Sequence, residues 1–233
     1  MNFKKKKLVK PRDASSLIII KENSKGTFVL MGRRPASSKF MPNVYVFPGG
    51  AVEKQDSIIS KLYKKKIKLS NKIVKSKNSL QTKAIMTAAI RETAEETGLF
   101  LVSKVKENIT NTSFQRNIWK EFSKKKELPN LEKLLFFGRA ITPSFLKIRF
   151  HARFFIADYY DFTGKIRSCN ELEDVGWINL KDKKDIKIAD VTEFLLDQLI
   201  LLDGKIKNVK QMSSFPMFTW RYHKRWIKWE ELE

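Results

Sequence analysis

The chain has 233 residues, 42% apolar and 12% aromatic, enough to bury one substantial core with an appended extension. One cysteine, Cys169, excludes an internal disulfide and a cysteine-built metal array, which predicts a reducing, cytoplasmic setting. The net charge of +22 fits either a polyanionic partner such as nucleic acid or a solvated lysine-rich surface, while the short apolar run Leu17 to Ile20 behind Lys4 to Lys7 excludes an N-terminal signal or membrane span.

In chain order, residues 1–13 read as a basic, mobile leader. Ala14 to Ile20 and Thr27 to Met31 read as strands around a turn at Asn23 to Gly26, and Val44 to Phe47 as a third strand stopped by Pro48-Gly49-Gly50. No acidic residue lies between Asp56 and Glu92, where lysines accumulate from Lys61 to Lys83. Ser79 is placed to cap a helix that runs to Thr97, with Gly98 in the position that favours a left-handed terminus. Phe100 to Val102 reads as a strand, Phe114 to Lys126 and Leu131 to Leu135 as helices, then Phe136 to Ile141 and Phe150 to Tyr159 as strands. Val175 to Ile178 is one more strand, and Val191 to Leu202 has apolar residues at helical spacing. The stretch from Phe215 to Trp229 is aromatic and basic, which suits a half-buried packed strand, a dimer element or a base-stacking surface. These readings give a domain over 14–202 with a lysine-rich insertion at about 57–83, and an extension over 203–233.

The informative segment is the helix ending at Gly98. Glu92, Glu95 and Glu96 stand at i, i+3 and i+4, so their carboxylates leave one face within a turn, opposite Met86, Ile90 and Ala94. Like charges at that spacing cost roughly 0.2–0.5 kcal/mol, and acids beside a helix C-terminus oppose the dipole by roughly 0.3–1 kcal/mol. Arg91 reaches Glu95 in the weaker orientation, which is expected to leave Glu92 and Glu96 without a cation on the helix. A hard divalent ion, Mg²⁺ or Mn²⁺, relieves such a cluster.

The string Arg91-Glu92-Thr93-Ala94-Glu95-Glu96-Thr97-Gly98-Leu99 resembles the core of the Nudix box, with Thr93 where an apolar residue is usual. Phe47-Pro48-Gly49-Gly50 resembles the turn that opens the box, and Asp56 stands where glutamate is usual. Arg91 follows Gly50 by 41 positions, about 27 more than an uninterrupted box has, so the box is split. In this the chain resembles a branch of bacterial Nudix hydrolases and the peroxisomal coenzyme A diphosphatases of animals. Val29 to Arg34, Phe40-Met41-Pro42, Arg139 to Pro143, Arg149 to Phe155 and Glu171 to Asp174 ahead of Trp177 carry further similarity. The chain ends Glu231-Leu232-Glu233 rather than in a Ser-Lys-Leu signal, so peroxisomal import is not indicated.

The resemblance implies an α+β Nudix fold, an α/β/α sandwich with a mixed sheet between helices. It implies a metal-dependent hydrolase that cuts the diphosphate of a nucleoside diphosphate linked to another moiety, coenzyme A or acyl-coenzyme A among them. Glu92, Glu95 and Glu96 would hold Mg²⁺ or Mn²⁺, with Gly50 allowing close approach. Arg91, Glu92 and Glu95 are the candidate catalytic residues, Arg91 by orienting the glutamates. A second-loop carboxylate would come from Glu171, Glu173 or Asp174, and Arg33 and Arg34 would meet the substrate. His151 reads as a structural histidine. The expected partner is a small nucleotide, with a homodimer open and no membrane. The competing reading, from the charge and the tail, is an RNA-binding or RNA 5′-end-trimming protein. The insertion reads equally as a lysine-rich helix or lid near the phosphates, or as a solvated excursion.

Overall fold

The computed structural model describes residues 9–106, 117–182 and 186–231. The expected leader falls largely, and the start of the helix expected from Phe114 entirely, outside the described residues. The first half of the chain forms β1 (Arg12–Asn23), β2 (Gly26–Arg33), β3 (Tyr45–Val46), β4 (Gly49–Ala51), α1 (Lys54–Leu62), α2 (Asn71–Val74), α3 (Ser79–Thr97), β5 (Leu99–Phe100) and β6 (Val102–Lys104). The second half forms α4 (Asn117–Lys124), β7 (Glu127–Pro129), β8 (Leu135–Ile141), β9 (Phe150–Asp158), β10 (Thr163–Gly164), β11 (Glu173–Asn179), α5 (Asp190–Leu201), α6 (Ile206–Val209), β12 (Ser214–Arg221) and β13 (Lys224–Glu231).

The main sheet is mixed and runs β11-β2-β1-β9-β8-β12-β13, with β3 on β2 and β4 on β1. β1 lies parallel to β9, and β8 parallel to β12. Leu17, Ile18, Ile19 and Ile20 are all buried because β1 is central and covered on both faces. Leu17 and Ile19 pack with Ile85, Ile90 and Trp119 on the α3 side, whereas Ile18 and Ile20 pack with Leu195 and Leu199 of α5. The result is the expected sandwich of helices on both faces of a mixed sheet.

Several local readings change. Asn78, not Ser79, caps α3, its side chain accepting from Gln81 N–H, because asparagine competes well for that position. Gly98 closes the helix at φ 72° as expected. The expected strand over Phe100 to Val102 divides into β5, paired with β10, and β6, paired with β7. Leu131 to Leu135 is a single 3-10 turn, Leu131–Lys133, ahead of β8. The insertion is partly helical, in the end of α1 and in α2, and packed rather than a solvated excursion: Ile59, Ile67, Ile73 and Val74 enter the α3-side core. Arg153, 1% exposed, secures it by donating to the carbonyls of Val74 and Lys75 and to Asp13. The aromatic and basic tail is the β12–β13 hairpin, which extends the sheet, and Arg139 holds its last strand through Glu230 at 2.7 Å.

Candidate active site

The site forms where α3, β4 and the loop before β11 meet. α3 is sunk into the core rather than laid on the surface, so Glu92 and Glu96 are only 7% and 4% exposed. Thr93, the departure from an apolar residue, is fully buried and donates its hydroxyl to Ala89 O at 2.8 Å, so a polar side chain at that position is satisfied within the helix.

Arg91 is 0% exposed and binds five acceptors. Its Nε and Nη2 donate to Asp56 at 2.8 and 3.0 Å, Nη1 donates to Glu92 at 2.8 Å and Glu95 at 2.9 Å, and Nη2 also donates to Ala51 O at 3.0 Å. Glu92 therefore has a cationic partner on the helix, contrary to the expectation from spacing, because the guanidinium forks across adjacent side chains. Burial alone would lower the pKa of Arg91, but the Asp56 hydrogen bonds and the charges of Glu92, Asp56 and Glu95 raise it, and it stays protonated. Asp56, fully buried, is spent on Arg91 and on the Glu53 N–H.

Two glycines are required by close approach. A Cβ on Gly49 would sit 2.3 Å from Ser16 Oγ, and one on Gly50 would sit 2.4 Å from Glu92 Oε1. Gly49 N–H donates to Glu96 Oε2 at 2.8 Å. Glu171 arrives on a loop pinned by Leu172, which is fully buried in space that exists because Gly32 has no side chain.

One carboxylate oxygen each from Glu92, Glu96 and exposed Glu171 lies within 4.8 Å of the others. Burial first, and then the charge of Glu95, pushes Glu92 up to about 7 against the pull of Arg91. Burial and the neighbouring Glu92 push Glu96 well above the usual carboxylate range, although Gly49 N–H and Arg34 act the other way. Three hard oxygen donors held together at a cost, beside a glycine turn that leaves room for no side chain, fit a Mg²⁺ or Mn²⁺ ion.

The expected residues are only partly assembled. Glu95 is turned to Arg91 and lies outside the three-carboxylate cluster. Of the second-loop acids, Glu171 joins, while Glu173 and Asp174 are each held by Arg33 at 2.8 Å. Arg33 is thereby directed to β11, and Arg34 is the member of the pair that lines the cavity, its Nε donating to Phe40 O at 2.9 Å. His151 is not among the lining residues; its Nε2 lies 3.1 Å from Arg139 Nη1, and burial with the charges of Arg153 and Arg139 lowers it to about 3.

The carboxylates open into a cavity of about 820 Å³. Its wall includes Phe40, Phe150, Phe145, Trp220 and His223 beside Glu92, Glu96 and Glu171. The last three aromatic residues belong to segments that motif reasoning left out, since no spacing rule connects residue 145 or the tail to a glutamate at 92. Only the sheet order brings them together.

No protein-family model matches the chain. The Caenorhabditis elegans protein named nudix hydrolase 7 is 26% identical over 181 residues, 75% of this chain and 53% of that protein, so the chain spans about half the length of the curated relative it matches. The crystal structure of a NUDIX hydrolase from Alicyclobacillus acidocaldarius superposes with a TM-score of 0.70 at 21% identity, over 88% of this chain and 97% of that one.

Proposed function

We propose that this chain, which has the fold of the Nudix hydrolases, is a divalent-metal-dependent hydrolase that cuts the diphosphate bond of a nucleoside diphosphate derivative. Coenzyme A or an acyl-coenzyme A is the substrate to test first, on the strength of the split box. The observation that carries the reading is the buried pair Glu92 and Glu96 facing Glu171 within 4.8 Å at the mouth of a large cavity.

Glu92, Glu96 and Glu171 would hold the ion, which neutralises diphosphate charge and lowers the pKa of a bound water. Arg91 positions Glu92 and Glu95 and neutralises Asp56, so the helix carries its acids without unfolding. A carboxylate of this group accepts the proton of the attacking water, and Gly49 and Gly50 let the backbone approach closely. Arg34 supplies a cation beside Glu96 for a phosphate oxygen. Trp220 faces the cavity and is hydrogen-bonded to Asp190, while Tyr222 and Trp229 of the same hairpin are exposed, so the capped-RNA arm of the test decides the RNA reading.

The test is hydrolysis by the purified full chain, with Mg²⁺ or Mn²⁺ and with or without chelator. Its panel holds coenzyme A, acyl-coenzyme A, NADH, ADP-ribose, dinucleoside polyphosphates and capped RNA. Metal-dependent release of a 3′-phospho-adenosine product from coenzyme A is expected. Cleavage restricted to another member overturns the coenzyme A assignment, and no metal-dependent cleavage of any member overturns the hydrolase.

A further inference from the structure

The main sheet ends on two very different strands. β11, at one edge, shifts register between Glu173 and Gly176, holds Asp174 at φ 47° and begins with two acids, devices that blunt an edge against further pairing. β13, at the other edge, pairs with β12 without a break from Lys224 to Glu231. Among the described residues no strand covers its outer side. Ile227 is 36% and Trp229 48% exposed there.

The turn decides which backbone groups of β13 face outward. Tyr222 and His223 form a two-residue turn with φ of 51° and 58°, the geometry that makes the flanking Arg221 and Lys224 a hydrogen-bonded pair. Ladder bonds alternate along an antiparallel pair, so Lys224, Trp226, Lys228 and Glu230 turn their N–H and C=O groups to β12. Arg225, Ile227 and Trp229 turn theirs outward, toward the position of another strand. The side chains divide in the same way between the two faces. Arg225, Ile227 and Trp229 share the α5 face, where Arg225 meets Asp190 and Glu193, and the other four share the face on which Arg139 holds Glu230.

This edge complements itself. When two copies pair antiparallel, opposed residues share a face, so the two-fold axis passes through a residue rather than between two. Two registers pair all but one residue of β13, 225–231 about Lys228 and 224–230 about Ile227. With the axis at Lys228, that lysine meets the partner's Lys228 and Trp226 meets the partner's Glu230, both repulsive. With the axis at Ile227, Ile227 meets the partner's Ile227, Arg225 the partner's Trp229, Trp226 the partner's Lys228 and Lys224 the partner's Glu230. Every opposed pair is then apolar, cation on ring, or opposite in charge. Trp226 already takes a cation in this way, with the Arg221 guanidinium 3.9 Å from its ring centre. We infer that β13 is the interface of a homodimer, in which two copies join edge to edge about a two-fold axis at Ile227 and their sheets run on as one. The inference is independent of the proposed chemistry. The joined edge is narrow, in the class of interfaces below about 1,200 Å² that associate transiently, so the dimer forms and dissociates with concentration.

The test is sedimentation equilibrium of the full chain. Between about 2 and about 200 μM the mean mass should rise from one chain toward two, as a small interface requires. Ile227→Lys and Ile227→Glu each set like charges on the axis. Each should weaken association at least about tenfold, with the thermal midpoint within about 4 °C of the parent because the position is partly exposed. An equimolar mixture of the two variants should restore the dimer, since lysine then faces glutamate, a rescue that misfolded chains could not give. A monomer throughout the range, a dimer that neither variant weakens, or a mixture that stays monomeric overturns the interface. A monomer that binds single-stranded RNA, and loses it in Trp229→Ala, gives this edge to nucleic acid and likewise overturns the second copy.

Discussion

Glu96 is held in a state that an isolated metal-free protein would avoid. It is 4% exposed, receives one backbone N–H, and lies beside Glu92, whose carboxyl is itself pushed up to about 7. Such a group lowers stability whenever it ionises without a counter-ion. Glu96→Gln keeps the shape and removes the charge. It should therefore raise the thermal midpoint of the chelator-treated protein above pH 7, and lower metal-dependent turnover by at least roughly a hundredfold. A calorimetric scan and a rate assay on the same sample check both halves; a drop in midpoint with activity retained would show that the carboxylate is structural. Glu95, half-buried and bonded to Arg91, separates from Glu96 here although the two are adjacent in the chain. Their division of labour was hidden in the motif, because spacing on a helix reports which face a side chain leaves and not which neighbour it meets.

The elements differ in how far pattern alone reveals them. α3 and Gly98 were legible because the apolar spacing and the C-terminal glycine agree, although the N-cap fell one residue earlier, on Asn78, and β1, β8 and β9 because continuous apolar runs mark buried strands. The insertion was opaque because its lysines dominate its composition, while the few residues that decide its fate, Ile59, Ile67, Ile73 and Val74, are scattered among them. Ile73, 4% exposed on the short helix α2, is the test of this packing. Ile73→Ala should cost about 2–4 kcal/mol in denaturant unfolding if α2 belongs to the core, whereas a solvated excursion would register no more than about 0.5 kcal/mol. The hairpin β12–β13 was legible as a half-buried strand, but its place was not: a parallel pairing of β12 with β8 depends on two segments far apart in the chain, and no local signal encodes it.

Seen as one body, the molecule carries +22 over 233 residues, while its candidate site is a small cluster of carboxylates, two buried and one exposed. Under the proposed hydrolase reading, a diphosphate would approach through a field of opposite sign, which accelerates encounter from a distance. Raising salt from about 0.05 to about 0.5 M shortens the screening length from over 10 Å to under 5 Å. It should reduce kcat/KM at least about fivefold while leaving kcat nearly constant, and stopped-assay rates across a salt series check it; an equal fall in kcat would place the effect on the chemical step instead. The sheet has a further consequence, for the birth of the protein. Asp13 on β1 meets Arg153 on β9, 140 positions later, and β1 is paired along nearly its whole length with that late strand. At ribosomal rates of about 5–20 residues per second, one side of an isoleucine-rich strand waits on the order of ten seconds for its partner to be synthesised. During that interval β2 and β4 are the neighbours that β1 can recruit, so the other edge of the nascent ribbon is a sticky one. That edge stays open to wrong partners until β9 emerges to cover it.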